Sequence, residues 1–152
     1  VGEMNQTIID NVNAKVGPGD VLWYLGDFCF NIKRYEEFRR AIRCENIHLI
    51  YGNHDEAIQK SSYLQDLFSS CQNLAEIQVL NQRIVLCHWA MRTWNKASKK
   101  SWMLYGHSHG NLPDDPNLLS FDVGVDCHKF QPLGFDDVRK IMSRKGDHVG
   151  SI

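Results

Sequence analysis

The 152-residue sequence predicts a layered α/β fold with a mixed β-sheet, and three observations support this prediction. Short, continuous apolar runs of strand length recur along the chain. Between them stand segments whose apolar residues recur at helical spacing. Two of the strand-like runs lie close enough in sequence to form an antiparallel hairpin. Strands that alternate with helices favour a parallel sheet covered by helices, and the hairpin adds an antiparallel pair, so a mixed sheet is expected.

The chain opens with a predicted amphipathic helix. Met4, Ile8, Val12 and Val16 recur at helical spacing, which places them on one face. The run Gly-Pro-Gly-Asp at 17–20 ends this helix, because proline cannot continue a helix there and glycine favours turns.

Two strands with a helix between them come next. Residues 21–25 and 47–51 are continuous apolar runs of strand length, and residues 35–42 show helical periodicity. Each strand leads directly into a turn that contains glycine. The first turn is Gly-Asp at 26–27, and the second is Gly-Asn-His-Asp at 52–55.

The second half of the chain predicts a further helix at 63–70 and then a hairpin. Its strands, at 77–80 and 83–86, flank Asn-Gln at 81–82 as a two-residue turn. The remaining predicted elements are strands at 102–105 and 121–125 and a helix at 135–143.

Length and composition indicate one globular domain over residues 1–152. Apolar residues make up 43% and charged residues 23%, which is the balance of a folded chain rather than a disordered one. The formal net charge is −1, so the chain has no global basic field to hold nucleic acid by phosphate neutralisation. Nucleic acid is therefore a possible partner that the composition does not indicate.

Membrane insertion and a disulfide scaffold are not expected. No apolar run approaches the roughly 20 residues that a bilayer crossing needs, and no signal peptide is visible. The five cysteines are odd in number and widely spaced, which argues against a disulfide framework and against a zinc-thiolate site. Reduced thiols in a cytoplasmic protein are the expectation.

The polar residues that could bind a ligand or take part in a reaction share one position, since each follows directly on a predicted strand. In open α/β sheets, ligands collect beyond the carboxyl ends of the strands, so these side chains can converge. Oxygen and imidazole donors together suit borderline divalent metals such as Mn, Fe, Ni or Zn. A carboxylate can bridge two such cations, and a two-metal site supplies a hydroxide nucleophile for phosphoryl chemistry. The residues are Asp27, Asn53, His54, His88, His107 and His109.

Simpler interpretations stand beside these. Asp27 alone is equally a turn residue, and His88 alone is equally a histidine satisfied at a strand end. Cys29 is expected to be a small buried filler rather than a ligand. His48, His128 and His148 are expected to be structural or surface residues.

The loop after His88 offers a candidate substrate contact. Arg92 could hold a substrate phosphate bidentately. Trp89 and Trp94 could wall the cleft, although packing tryptophans and a surface arginine are the simpler interpretation.

The motifs, taken together and in order, resemble the calcineurin-like metallophosphoesterase family. That family carries D-x-H, G-D, G-N-H-[DE], H and G-H-x-H. The chain has Gly-Asp at 26–27, Gly-Asn-His-Asp at 52–55, His88 and Gly-His-Ser-His at 106–109. The resemblance extends, less specifically, to Asp-Val-Gly-Val-Asp at 122–126, which is similar to the closing strand of bacterial and phage members.

The resemblance implies an αββα sandwich with mixed β-sheets and a metal site at the C-terminal ends of the strands. It implies two divalent cations, with Mn favoured. Asp27 would bridge both cations, Asn53, His88 and His107 would complete the second metal site, and His109 would serve the first.

The resemblance also implies a reaction, the hydrolysis of a phosphate monoester or diester by a metal-bound hydroxide. His54 would face the leaving-group oxygen as general acid or transition-state stabiliser, and Asp55 would orient its ring.

One family motif is missing. No strand that ends in D-x-H precedes the first helix, and Asp10 is followed by Asn and Val within the helical pattern. The sequence begins at Val1, so an N-terminally incomplete domain is the favoured interpretation. The alternatives are a degenerate, catalytically inactive member that serves as a binding module, and a nuclease.

Overall fold

The computed structural model describes residues 2–29 and 31–145, which form five α-helices and seven strands. The helices are α1 (Gly2–Lys15), α2 (Tyr35–Ala41), α3 (Glu56–Gln59), α4 (Ser62–Gln65) and α5 (Phe135–Lys145). The strands are β1 (Val21–Tyr24), β2 (Asn46–Ile50), β3 (Ser70–Gln72), β4 (Leu74–Val79), β5 (Gln82–Cys87), β6 (Trp102–Tyr105) and β7 (Ser120–Asp122).

The strands form two sheets, one parallel and one mixed. The first has the order β1-β2-β3 and is parallel throughout. The second has the order β4-β5-β6-β7, in which β4 and β5 form the predicted antiparallel hairpin and the other pairs are parallel. The predicted α/β class with a mixed sheet is confirmed.

Two hydrophobic clusters stack the sheets and helices in layers. In β2, Ile47 and Leu49 point to the cluster shared with α1 and α2. Ile50 points the other way, into the cluster formed mainly by the second sheet. Val138 and Met142 of α5 belong to that second cluster. The layer order is therefore helix, sheet, sheet, helix, as expected for an αββα sandwich.

The region between β2 and β4 differs from its predicted form. The helix expected at 63–70 ends at Gln65, and residues 70–72 form the short strand β3 instead. Its sequence, Ser-Cys-Gln, lacks the apolar run that identifies a strand. Its pairing is set by β2, whose Leu49 lies opposite Cys71.

Two further element boundaries also differ. The hairpin turn is Leu80 and Asn81, whose φ angles of 49° and 67° suit a two-residue loop with left-handed turn residues. The last strand ends at Asp122, and a 3-10 turn (Val125–Cys127) occupies the end of the predicted strand. Neither difference changes which strands pair, but the 3-10 turn contributes a residue that contacts the site described below.

Several other expectations concern the chain as a whole. Within the described residues β1 pairs only with β2, so it is an edge strand, and Val21 is 55% exposed there. All five cysteines are free. None of the helices in the described residues combines the length and the apolar character that a bilayer crossing requires. The assignment of residues 1–152 to a single domain stays a prediction, and His148 lies outside the described residues.

A buried lysine ties the end of α5 to the loop before β7. Lys145 is 6% exposed, and its ammonium lies 2.6 Å from the Asp114 carboxylate. The same group donates to the backbone carbonyls of Asp115, Leu118 and Ser120. The three hydrogens of one ammonium group are therefore shared among three carbonyls and one carboxylate.

Replacing Lys145 with methionine is expected to lower the free energy of unfolding by about 2–4 kcal/mol, because the change leaves these acceptors without their donor. Urea unfolding followed by circular dichroism measures the effect. Lys140→Met is the matched control, since Lys140 is exposed on the same helix. Equal midpoints for the two variants would contradict the proposed role of Lys145.

Candidate metal centre

The polar residues predicted at strand ends lie at one edge of the two sheets. Asp27 follows β1, Asn53 follows β2, His88 follows β5 and His107 follows β6. The approach is close enough to require glycine at position 26. A Cβ atom there would lie 2.3 Å from His88 Nδ1, so no other residue fits without a shift.

The donor atoms of three side chains lie close to the Nε2 atom of His88. His88 Nε2 lies 3.0 Å from Asn53 Oδ1, 3.1 Å from His107 Nδ1 and 3.4 Å from Asp27 Oδ2. Asn53 Oδ1 lies 3.0 Å from His107 Nδ1. One ligand atom from each of Asp27, His88 and His107 lies within 4.8 Å of the other two, so these three residues could hold a metal ion. These four of the predicted ligands are thus brought together.

The hydrogen bond of His88 to the backbone determines which of its ring nitrogens has a free lone pair. Its Nδ1 lies 2.7 Å from the Leu25 carbonyl oxygen, which can only accept, so Nδ1 carries the hydrogen. In the neutral ring Nε2 then presents a lone pair to the oxygens of Asn53 and Asp27. A backbone carbonyl that fixes the tautomer in this way is typical of a metal-ligating histidine. His88 itself is 1% exposed, so its ring is fixed within the fold.

The spacing of the donors fits a divalent cation. Zinc and similar ions bind imidazole nitrogen and carboxylate oxygen at about 2.0–2.2 Å. Neighbouring ligands of one ion therefore stand about 3.0 Å apart in an octahedron and about 3.4 Å apart in a tetrahedron. The observed separations of 3.0–3.4 Å fall in this range. The mixture of one carboxylate, one amide oxygen and two imidazoles matches the borderline metals expected from the sequence.

Asp55 holds the two ligand-bearing loops together. It is fully buried, and its Oδ2 accepts the backbone amides of Asp27 and Gly52, each at 2.7 Å. Its Oδ1 accepts the amide of Phe28 at 2.9 Å. Burial raises the pKa of the Asp55 carboxyl, and the three amide hydrogen bonds oppose that shift. The Asp55 carboxylate is bonded to these backbone amides, and the orientation of the His54 ring by Asp55 stays a prediction.

His54 is fixed through its backbone beside the donor cluster. Its amide donates to Asp27 Oδ1 at 2.9 Å, and its carbonyl accepts from the Tyr35 hydroxyl at 3.2 Å. Burial raises the pKa of Tyr35, so its hydroxyl remains the donor. The exposed His54 side chain lines an open cleft of about 450 Å³ together with Asp27 and His107. Sequence reasoning missed Tyr35, which was visible only as an apolar helix residue.

His109 lies apart from the four-donor cluster. It lines the same cleft, but its side chain is 61% exposed and its Nδ1 contacts the carboxylate of Asp126. Three site residues also share a left-handed backbone: Asp27, His107 and His109 have φ angles of 54°, 64° and 49°. Such conformations are sparsely populated outside glycine and concentrate at functional sites.

The residues for which simpler roles were predicted fall into two groups, buried and exposed. Trp94 is a packing residue, 8% exposed in the core of the second sheet. Trp89 is 48% exposed, and its ring centroid lies 4.1 Å from that of His107. Cys29 is 4% exposed, as expected for a buried filler. Arg92 is exposed and is not among the described residues that line the cleft, so its phosphate contact stays a prediction.

The two remaining described histidines have structural partners. His48 Nδ1 lies 2.6 Å from Ser70 Oγ, and its ring stacks on Trp23 with centroids 4.3 Å apart. His128 Nε2 lies 2.8 Å from the Asp122 carbonyl oxygen. These contacts are structural, which was one of the two roles expected for these histidines.

The fold and the donor cluster together define a class: a layered α/β protein with a cluster of His, Asn and Asp donors at its strand ends that could hold a metal ion. Residues 4–120 match the family model of the calcineurin-like phosphoesterase superfamily domain, and the chain belongs to this superfamily. Membership implies metal-dependent hydrolysis of phosphoesters, and the family typically uses divalent metals.

Individual proteins similar to this chain add to the comparison. An uncharacterized protein of Methanocaldococcus jannaschii, MJ1445, is 25% identical over 159 residues, which cover 100% of this chain and 82% of the relative. The crystal structure of a protein of unknown function from Aquifex aeolicus, AQ665, is similar with a TM-score of 0.74 and 20% identity. That likeness covers 93% of this chain and 86% of the other. A novel archaeal phosphodiesterase is similar with a TM-score of 0.56 and 19% identity, covering 80% and 76%. At these identities the structural likenesses show the fold alone.

Proposed function

We propose that this protein hydrolyses a phosphate monoester or diester at a site for two divalent cations, with Mn favoured. The observation that carries the proposal is the convergence of four donor groups within 3.0–3.4 Å, with His54 fixed beside them. Asp27, Asn53, His88 and His107 hold one cation. Asp27 and His109, which line the same cleft, serve the other.

The cations, when bound, supply water activation and neutralise charge on the attacked phosphoryl group. The chain's own residues supply positioning and proton transfer. Asp27 holds the backbone amide of His54, so the metal site and the proton donor are coupled through one hydrogen bond of 2.9 Å. His54 donates a proton to the leaving-group oxygen from its exposed imidazole at the mouth of the cleft.

The substrate enters through an open cleft, which suits a small ester. The cleft-lining residues that the structure describes include no lysine or arginine, so we do not propose a nucleic acid as the substrate. The similar fold of an archaeal phosphodiesterase supports testing diesters beside monoesters. A cytoplasmic location remains our prediction, because the five cysteines are free.

A second candidate function is a binding module that keeps one cation without catalysis. The position of His109 favours it, because the side chain lies outside the donor cluster of Asp27, His88 and His107. In this alternative the cleft binds a phosphate-bearing partner and releases it unchanged.

The experiment that separates the two functions is hydrolysis of p-nitrophenyl phosphate and bis(p-nitrophenyl) phosphate after reconstitution with Mn²⁺. The His54→Ala variant is expected to keep its bound metal and to lose about 100- to 10,000-fold in kcat, the usual contribution of a general acid. Metal content is measured in parallel by elemental analysis. His48→Gln is the matched control, since His48 lies within β2 and bonds to Ser70. Full metal occupancy without hydrolysis by the unmodified protein would favour the binding module, and unchanged turnover of His54→Ala would refute the proton donor.

A further inference from the structure

The contact between His109 and Asp126 joins the cleft to a segment that follows β7. Asp126 lies in the 3-10 turn Val125–Cys127, and its Oδ2 contacts His109 Nδ1. The residues that match the superfamily end at 120, so this turn lies outside the matched region. The contact therefore brings an unassigned segment to the edge of the proposed active site.

The turn is built to hold its position against the loop that carries His109. The Asp122 carboxylate accepts the amide of Gly124 at 2.8 Å and that of Gly110 at 3.3 Å. The second of these bonds reaches the residue directly after His109. Asp122 thus anchors both segments with one side chain, through both of its oxygens.

Glycine at position 124 leaves room for the same arrangement. A Cβ atom there would lie 2.9 Å from Asp122 Oδ1 and 2.9 Å from Asp126 Oδ1. The two carboxylates therefore flank the Gly124 backbone, and a larger residue would push them apart. The close approach keeps Asp126 within reach of His109.

The contact decides which nitrogen of His109 is left for a ligand. A carboxylate accepts the hydrogen on Nδ1, which leaves the lone pair of the neutral ring on Nε2. Carboxylate–histidine pairs of this kind orient metal ligands and raise their basicity. His109 lines the cleft, and its left-handed φ of 49° shows that the loop is constrained there.

We infer that Asp126 is a positioning residue that fixes His109 through Nδ1, so that Nε2 is the donor for the cation that Asp27 and His109 share. The inference rests on the proposed function only for the identity of the ligand, a divalent cation. It makes the turn after β7 part of the active site.

Two measurements on the full chain, both without substrate, test this inference. The first is ¹⁵N NMR of the histidine rings in metal-free protein at mildly alkaline pH. His109 is expected to carry its hydrogen on Nδ1, and Asp126→Ala is expected to shift it toward the Nε2-protonated form. The second is calorimetric titration with Mn²⁺, in which Asp126→Ala is expected to weaken binding of the cation at His109 about 10- to 100-fold while the affinity of the site formed by Asp27, Asn53, His88 and His107 is unchanged.

Asp136→Ala is the matched control, because Asp136 is an exposed carboxylate on α5 that pairs with Arg139. Asp126→Asn, which keeps an acceptor oxygen, is expected to lie between wild type and Asp126→Ala in both measurements. An unchanged tautomer or an unchanged affinity for the cation at His109 in Asp126→Ala would overturn the inference, as would a wild-type protein that binds one cation only. Two bound cations without hydrolysis would refute the proposed function and leave the role of Asp126 standing.

Discussion

Replacing His88 with alanine is expected to lower the affinity for the divalent cation at the four-donor cluster by more than about 100-fold, since even indirect partners of metal ligands contribute about 10- to 100-fold. His88 has the central position in the donor cluster, because its Nε2 lies within 3.4 Å of the donor atoms of Asp27, Asn53 and His107. Its ring is also held by the Leu25 carbonyl at 2.7 Å, so no neighbouring side chain can take its place without rearrangement.

The same variant should lose stabilisation by metal. A ligand that binds only the folded state stabilises it by about 2.7 kcal/mol at a free concentration of about 100 times Kd. Thermal unfolding with and without Mn²⁺ is therefore expected to show an upward shift for wild type and none for His88→Ala. His48→Ala, at a partly buried histidine outside the donor cluster, should keep the shift. If His88→Ala bound Mn²⁺ as tightly as wild type, the proposed metal centre would be wrong.

Replacing Asp55 with alanine is expected to lower the free energy of unfolding by about 3–5 kcal/mol. The variant leaves the buried amides of Asp27, Phe28 and Gly52 without an acceptor, and each such loss costs about 1–3 kcal/mol. Total stabilities of small domains are about 5–15 kcal/mol, so the loss is a large fraction of the whole. The loops that carry Asp27 and Asn53 should also separate, and cation binding should weaken.

Urea unfolding measures the effect of Asp55→Ala as a lower midpoint at an unchanged slope. Asp136→Ala again serves as the control, because an exposed ion pair on a helix surface contributes less than about 1 kcal/mol. A midpoint for Asp55→Ala equal to that of the control would contradict the role of Asp55 as the clamp between the two loops.

The local sequence was sufficient to predict the ligands that follow apolar strands. Asp27, Asn53, His88 and His107 each come directly after a β-strand, and parallel strands in neighbouring positions bring their carboxyl ends to one edge. The prediction of convergence needed only the order of strands and the direction of the chain. The short strand β3 escaped prediction, because its Ser-Cys-Gln sequence carries no apolar run and its strand form depends on hydrogen bonds to β2.

The partners of the site residues could not be predicted, because they lie far away in sequence and are often backbone groups. Asp55 binds amides 27 and 28 residues earlier in the chain. His88 is oriented by a carbonyl 63 residues away. Tryptophans 89 and 94 share one loop, yet only the packing of the second sheet decides that Trp94 is buried and Trp89 exposed.

The sequence by itself determined the fold class and the types of donor atom, since periodicity and residue chemistry are local properties. Only the tertiary structure decided how the donors are held: which ring nitrogen of His88 faces the metal point, and which carboxylate meets His109. Hydrogen bonds across the fold set both, because a tautomer or a rotamer depends on the atoms in contact rather than on the neighbours in the chain.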